Sequence, residues 1–189
     1  QSWVFRATDM LLGMPVALKV MTPAVAHFYT GTLARFKQEA ILLYRTRHPN
    51  VVAAYAFVHH KLYYMLAMEY VRGVTLEQLL AARGAIGQRA AAIIGRQICS
   101  ALEHMRTKGI VHRDINPSKL LMAKRPEFTV KISGFTVAKD ADRRDKREVT
   151  RPNTGLGTPA YAASEQILDA ASVDHRADIY SLGVTLYRM

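Results

Sequence analysis

The chain has 189 residues, half of them hydrophobic and 22% charged, a composition that supports one domain with its own core and argues against a disordered chain. No uninterrupted apolar run approaches the ~18 residues of a membrane span, and the first residues, Gln1-Ser2-Trp3-Val4, lack the basic and apolar regions of a signal peptide. The net charge of +11 and pI of about 10 fit either an Arg-rich surface or an acidic partner such as nucleotide phosphates; no aromatic-plus-basic repeat is present, so nucleic acid is not an expected partner.

Val16-Ala17-Leu18-Lys19-Val20 is a β-branched, apolar run and predicts a strand. Leu33, Phe36, Ala40, Leu43 and Tyr44 recur at helical spacing, predicting a helix over 33–45 that His48-Pro49-Asn50 breaks. Val51–Phe57 and Leu62–Tyr70 read as strands around a turn at His59-His60-Lys61. Thr75 and Gln78 form a capping-box pattern for a helix that Gly84 ends. A long helix is expected over Ala90–Lys108, with Ile94, Ile98, Ala101, Leu102 and Met105 on its buried face, Cys99 in the core and Gly109 at its end. A single cysteine forms no internal disulfide and fits a reducing compartment. Short strands and loops follow to about residue 160, including a polar, basic loop over 139–155 with a charge cluster from Arg143 to Arg151. A last helix spans 174–189, with Ile179, Leu182 and Leu186 expected inside, and Val184 a weaker candidate for burial. Strands first and helices later predict a two-lobed α+β protein.

Several segments carry chemistry. His112-Arg113-Asp114 opens I-V-H-R-D-I-N-P-S-K-L-L-M, a loop with a carboxylate able to accept a proton. V-A-L-K ends on Lys19, and Glu39 follows 20 residues later in R-F-K-Q-E-A. Lys131-Ile132-Ser133-Gly134-Phe135-Thr136 lies downstream, then Gly155-Leu156-Gly157-Thr158-Pro159-Ala160-Tyr161 and Ala163-Ser164-Glu165, and last Asp178 in A-D-I-Y-S-L-G. In their order along the chain, and over nearly its whole length, these segments resemble a bacterial eukaryotic-like (Hanks-type) serine/threonine protein kinase domain.

The resemblance implies a kinase-like two-lobed α+β fold: residues 1–68 as a small β-rich lobe with one helix, 69–72 as the hinge, and 73–189 as a mainly helical lobe. It implies ATP as phosphoryl donor, Mg²⁺ as its metal, and a protein substrate or signalling partner. Asp114 stands for the residue that accepts the hydroxyl proton, Lys19 for the phosphate-binding lysine and Glu39 for the helix glutamate that holds it. Met68, Glu69 and Val71 match the hinge, with Met68 as gatekeeper. Val4, Ala17 and Leu121 match the residues around the adenine, the alternative for Val4 and Ala17 being plain core. Arg113 matches the partner of a phosphorylated activation loop, and Thr150 and Thr154 are candidate phosphosites or ordinary loop threonines. His112 reads as a packed structural histidine. Phe135 anchors the D-F-G alignment, Thr158 and Glu165 the substrate-side segments, and Asp178 the backbone of the catalytic loop.

This chain departs from the pattern where metal is held. The D-F-G aspartate is Gly134 and its glycine Thr136; the second metal-ligand position is Lys119; Asn116 replaces a lysine; Ser2 stands at the third glycine of the phosphate loop and Ser164 at the proline of A-P-E. Mg²⁺ needs hard oxygen ligands, so the expected metal set is none, and weak or absent phosphoryl transfer is expected; a nucleotide-binding or scaffolding pseudokinase is the alternative. Two readings of Lys119 stay open: an ammonium near the place of the cation, or a side chain turned to solvent. The chain is expected to be a partial domain, lacking the start of the phosphate loop and the last helices of the second lobe, to be marginally stable alone, and to be cytoplasmic or the cytosolic part of a longer protein.

Overall fold

The computed structural model describes residues 2–23, 31–124, 128–140, 158–169 and 172–189. A four-stranded antiparallel sheet comes first. Its strands are β1 (Ser2–Thr8), β2 (Pro15–Met21), β3 (Ala54–His60) and β4 (Tyr63–Glu69), in the order β1-β2-β4-β3. Register pairs Lys19 with Val4 on one side and Leu66 on the other. Since side chains alternate across a strand, Ala17 and Lys19 share one face of the sheet. Helix α1 (Thr32–Arg45) packs on the sheet through Phe36, Ala40, Leu42 and Leu43. It also buries one charged residue, Glu39.

The remainder is mainly helical: α2 (Leu76–Arg83), α3 (Gln88–Thr107), α4 (Ser164–Leu168) and α5 (Arg176–Arg188). A three-stranded sheet of β5 (Gly73–Thr75), β7 (Leu120–Ala123) and β8 (Val130–Ile132) lies among them, and β6 (Ile110–Val111) pairs with β9 (Lys139–Asp140). One apolar core runs through both parts, from Phe36, Leu43 and Leu66 to Ile98, Leu120 and Ile132. Thr75 caps α2 as the sequence predicts, with both reciprocal bonds of the capping box formed, and Gly84 ends it at φ 74°.

Several expectations are corrected. The strand expected from Val51 starts at Ala54, because Val51 and Val52 are tied to β8 instead: Val52 N donates to Ile132 O at 2.9 Å, and Ile132 N to Asn50 O at 2.8 Å. His59 and His60 belong to β3, and the tight turn is Lys61-Leu62, with Lys61 at φ 52°. Cys99 is exposed, since it steps about 100° around α3 from Ile98, off the stripe of Ile94, Gly95, Ile98, Ala101, Leu102 and Met105. Tyr44 is exposed too, with the Arg47 guanidinium 4.8 Å from its ring centre. In α5 Ile179 is 58% exposed and Leu186 36%, Val184 is only partly buried, and the buried set is Ala177, Asp178, Ser181, Leu182 and Thr185. The basic loop starts later than expected, because Lys139 and Asp140 pair with β6. Thr150, Thr154 and the cluster from Arg143 to Arg151 lie outside the described residues. Among the described residues no helix is long and apolar enough to cross a membrane.

Candidate functional site

The site is a cleft of about 290 Å³ between the four-stranded sheet and the β7–β8 hairpin. Val4, Ala17, Met68, Glu69 and Leu121 line it. Val4 is 61% exposed, which removes the plain-core alternative for that residue. Val71 is not among the lining side chains; Leu43, Val52, Ser118 and Ser133 are, and the sequence reading did not single them out. Glu69 is held by Lys131, whose Nζ lies 2.8 Å from Oε2.

On the sheet side, Lys19 Nζ donates to Glu39 Oε1 at 2.8 Å and Oε2 at 2.6 Å. Glu39 is 2% exposed, so this pair sits where charge is costly unless partnered. A third group joins it: the Thr136 hydroxyl donates to Glu39 Oε2 at 3.0 Å and lies 3.3 Å from Lys19 Nζ. That contact was missed at the sequence level, where Thr136 is only a departure from glycine.

Asp114 is not itself among the residues lining the cleft; it adjoins it through Lys119 and sits in a dense polar network. Its Oδ1 accepts from Asn116 Nδ2 at 2.8 Å, Thr158 N at 2.9 Å and Thr158 Oγ1 at 3.1 Å. Its Oδ2 faces Lys119 Nζ at 3.5 Å. Asn116 also starts the 3₁₀ turn Pro117–Lys119, its Oδ1 accepting from Ser118 N at 2.9 Å. Lys119 therefore turns into the cleft, not out to solvent. Its stem crosses Gly134, where an added Cβ would stand 2.8 Å from Lys119 Cδ. Gly134 has φ 83°, a left-handed conformation that favours glycine.

The backbone of the Asp114 loop is strained and held from below. Arg113 has φ 67°, uncommon for a residue with a Cβ. The buried Asp178 carboxylate accepts from Arg113 N at 2.7 Å and His112 N at 2.8 Å, fixing that conformation. Burial pushes the Asp178 carboxyl up to about 6, against the two N–H donors that favour its charge. Gln166 Nε2 adds a bond to Arg113 O at 2.7 Å; nothing in the sequence pattern marked Gln166. His112 is fully buried, its Nε2–H donating to Ser133 O at 3.1 Å and its Nδ1 accepting from Asp114 N at 3.3 Å. Burial pushes this imidazole down to about 4, only partly offset by the Asp114 charge. A neutral ring bonded at both nitrogens and edge-on to Phe135, 4.8 Å between centres, is a spacer in the core. Glu165 is exposed at the start of α4, away from this network.

Neither position at which the resemblance places a metal ligand offers a side-chain oxygen. Position 119 offers an ammonium and position 134 no side chain, where a hard cation requires oxygens. Among the described residues no group of three His, Cys, Asp or Glu side chains is gathered as a metal site.

Comparison with known proteins agrees with this geometry. The family model described as protein kinase domain matches residues 1–189. The chain is 35% identical over 193 residues to the serine/threonine-protein kinase pkn3 of Myxococcus xanthus, covering 98% of this chain and 34% of that protein. It is 33% identical to the serine/threonine-protein kinase PknL of Mycobacterium tuberculosis over 191 residues, all of this chain and 45% of that one. Against the serine/threonine-protein kinase PrkC of Bacillus subtilis it is 31% identical over 186 residues, covering 98% of this chain and 28% of that protein. The chain thus spans less than half the length of these relatives. By its α+β fold and by a family match along its whole length, it belongs to the protein kinase domain family.

Proposed function

We propose that this domain binds ATP in the cleft between residues 1–68 and 73–189, against 69–72, with Lys19 and Lys119 as the cations facing the phosphates, and that its transfer of phosphate to protein Ser or Thr hydroxyls is weak or absent. The observation that carries this reading is the placement of Lys119: its stem fills the space left by Gly134 and its ammonium lies 3.5 Å from Asp114 Oδ2. An ammonium there offsets phosphate charge without metal, though a single positive charge on a flexible stem orients phosphates less well than a coordinated dication. Lys19, fixed by Glu39, supplies the second cation.

A second reading, retained phosphoryl transfer, is favoured by the position of Asp114. Thr158 and Asn116 fix Oδ1, and Oδ2 faces the ammonium of Lys119, a residue that lines the cleft. In that reading Oδ2 takes the proton of a Ser or Thr hydroxyl as its oxygen bonds the γ-phosphorus and ADP leaves. Calorimetric titration of ATP in Mg²⁺ and again in EDTA separates the two. Equal binding in both supports the metal-independent site; binding that requires Mg²⁺ favours the retained enzyme; no binding in either refutes both and leaves a signalling scaffold.

A further inference from the structure

The Lys19–Glu39 pair has a third member, Thr136. A hydroxyl offers one donor and two acceptor lone pairs, so Thr136 can donate to Glu39 and accept from Lys19 together. The distances, 3.0 Å and 3.3 Å, allow both. The three residues come from three elements: β2, α1 and the 3₁₀ turn Phe135–Val137. That turn is itself anchored, since Phe135 is 1% exposed and stands against the His112 ring. A glycine at position 136 would offer no such bond. Without it, Glu39 Oε2 would keep only its lysine partner.

We propose that Thr136 is a positioning residue that latches α1 to the Phe135–Val137 turn through Glu39 and so holds Lys19 in the cleft. The latch stands on these contacts alone; only its use, presenting Lys19 to phosphates, rests on the proposed function.

Backbone hydrogen exchange of the nucleotide-free protein tests it, comparing Thr136→Val, which keeps the shape and loses the hydroxyl, with Thr136→Ser, which keeps the hydroxyl. A hydrogen bond to a charged group is strong enough that its loss should speed exchange of the α1 amides by at least roughly tenfold. Thr136→Ser should leave them within twofold of the parent, and α3 amides should be unchanged in both variants. The proposal is overturned if Thr136→Val leaves α1 exchange at the parent level, or if Thr136→Ser speeds it equally. Failure of every variant and the parent to bind ATP would count against the proposed function, while the exchange result would still decide the latch.

Discussion

Lys119 occupies the volume that a side chain at position 134 would need: a Cβ on Gly134 would sit 2.8 Å from Lys119 Cδ and 3.3 Å from its Cε. The residues at positions 119 and 134 therefore share one space. A side chain at 134 would displace the lysine stem, and the displaced ammonium would leave Asp114 Oδ2 without this partner.

That relationship makes a double-mutant cycle informative. Gly134→Asp alone should destabilise the domain by roughly 0.5–2 kcal/mol, from crowding against a flexible stem and from the left-handed backbone. Lys119→Asn alone should cost less. Together they should cost less than their sum by more than ~0.5 kcal/mol, the threshold that separates coupled from independent sites. Urea denaturation of the four proteins gives the coupling. Strict additivity would mean that the lysine stem moves aside freely and that the two positions are independent.

His112 and Asp178 should give opposing pH slopes. His112 titrates near 4 in the fold against an ordinary 6.5. As pH falls from 6.5 to 4 the unfolded chain takes up a proton that the folded chain refuses, so stability is lost on acidification. Asp178 titrates near 6 against an ordinary 3.8. Its contribution is fully present below about 3.8 and is lost as pH rises through 6. Each group contributes at most ~1.4 kcal/mol per pH unit, and in the parent the two slopes offset each other between pH 4 and 6. Asp178→Asn should expose the histidine slope, with stability falling more steeply on acidification than in the parent. His112→Asn should expose the opposite slope. Urea midpoints at pH 4, 5, 6 and 7 measure this, and parallel profiles for both variants and the parent would defeat it.

How much of this was readable from the sequence differs from element to element. Thr75 and Gln78 announced their helix because capping is local, and Lys19 with Glu39 stood out because their 20-residue gap matches the strand-to-helix spacing of the family they resemble. The last helix misled for a physical reason. Ile179, Leu182 and Leu186 share a stripe by hydrophobicity, yet the buried side holds Asp178, Ser181 and Thr185, each satisfied by a hydrogen bond: Asp178 from His112 N and Arg113 N, Ser181 to Tyr161 O, and Thr185 to Ser181 O. Apolar periodicity cannot see a buried face built from paired polar groups. The Thr136–Glu39 bond joins residues 97 apart, and the Lys119–Gly134 fit is closed only by the β7–β8 hairpin between them. Both depend on the folded chain rather than on any local pattern.

Two glycines should respond to alanine with opposite signs. Gly73 sits opposite Ala123 where β5 pairs with β7, the strand that carries Leu121 into the cleft. A Cβ there would fall 1.8 Å from Met122 O, and backbone atoms cannot rotate away as a side chain can. Gly73→Ala must push β7 aside, at a cost of roughly 1–3 kcal/mol, lowering Tm by about 2–10 °C for a domain of this size. Gly183 lies within α5 with nothing within 4 Å of an added Cβ. Alanine is the better helix former by about 1 kcal/mol, so Gly183→Ala should raise Tm by about 2–4 °C. Thermal melts of the two variants beside the parent decide the matter. A Gly73→Ala protein that melts with the parent would mean that β5 and β7 do not approach as closely as the register requires.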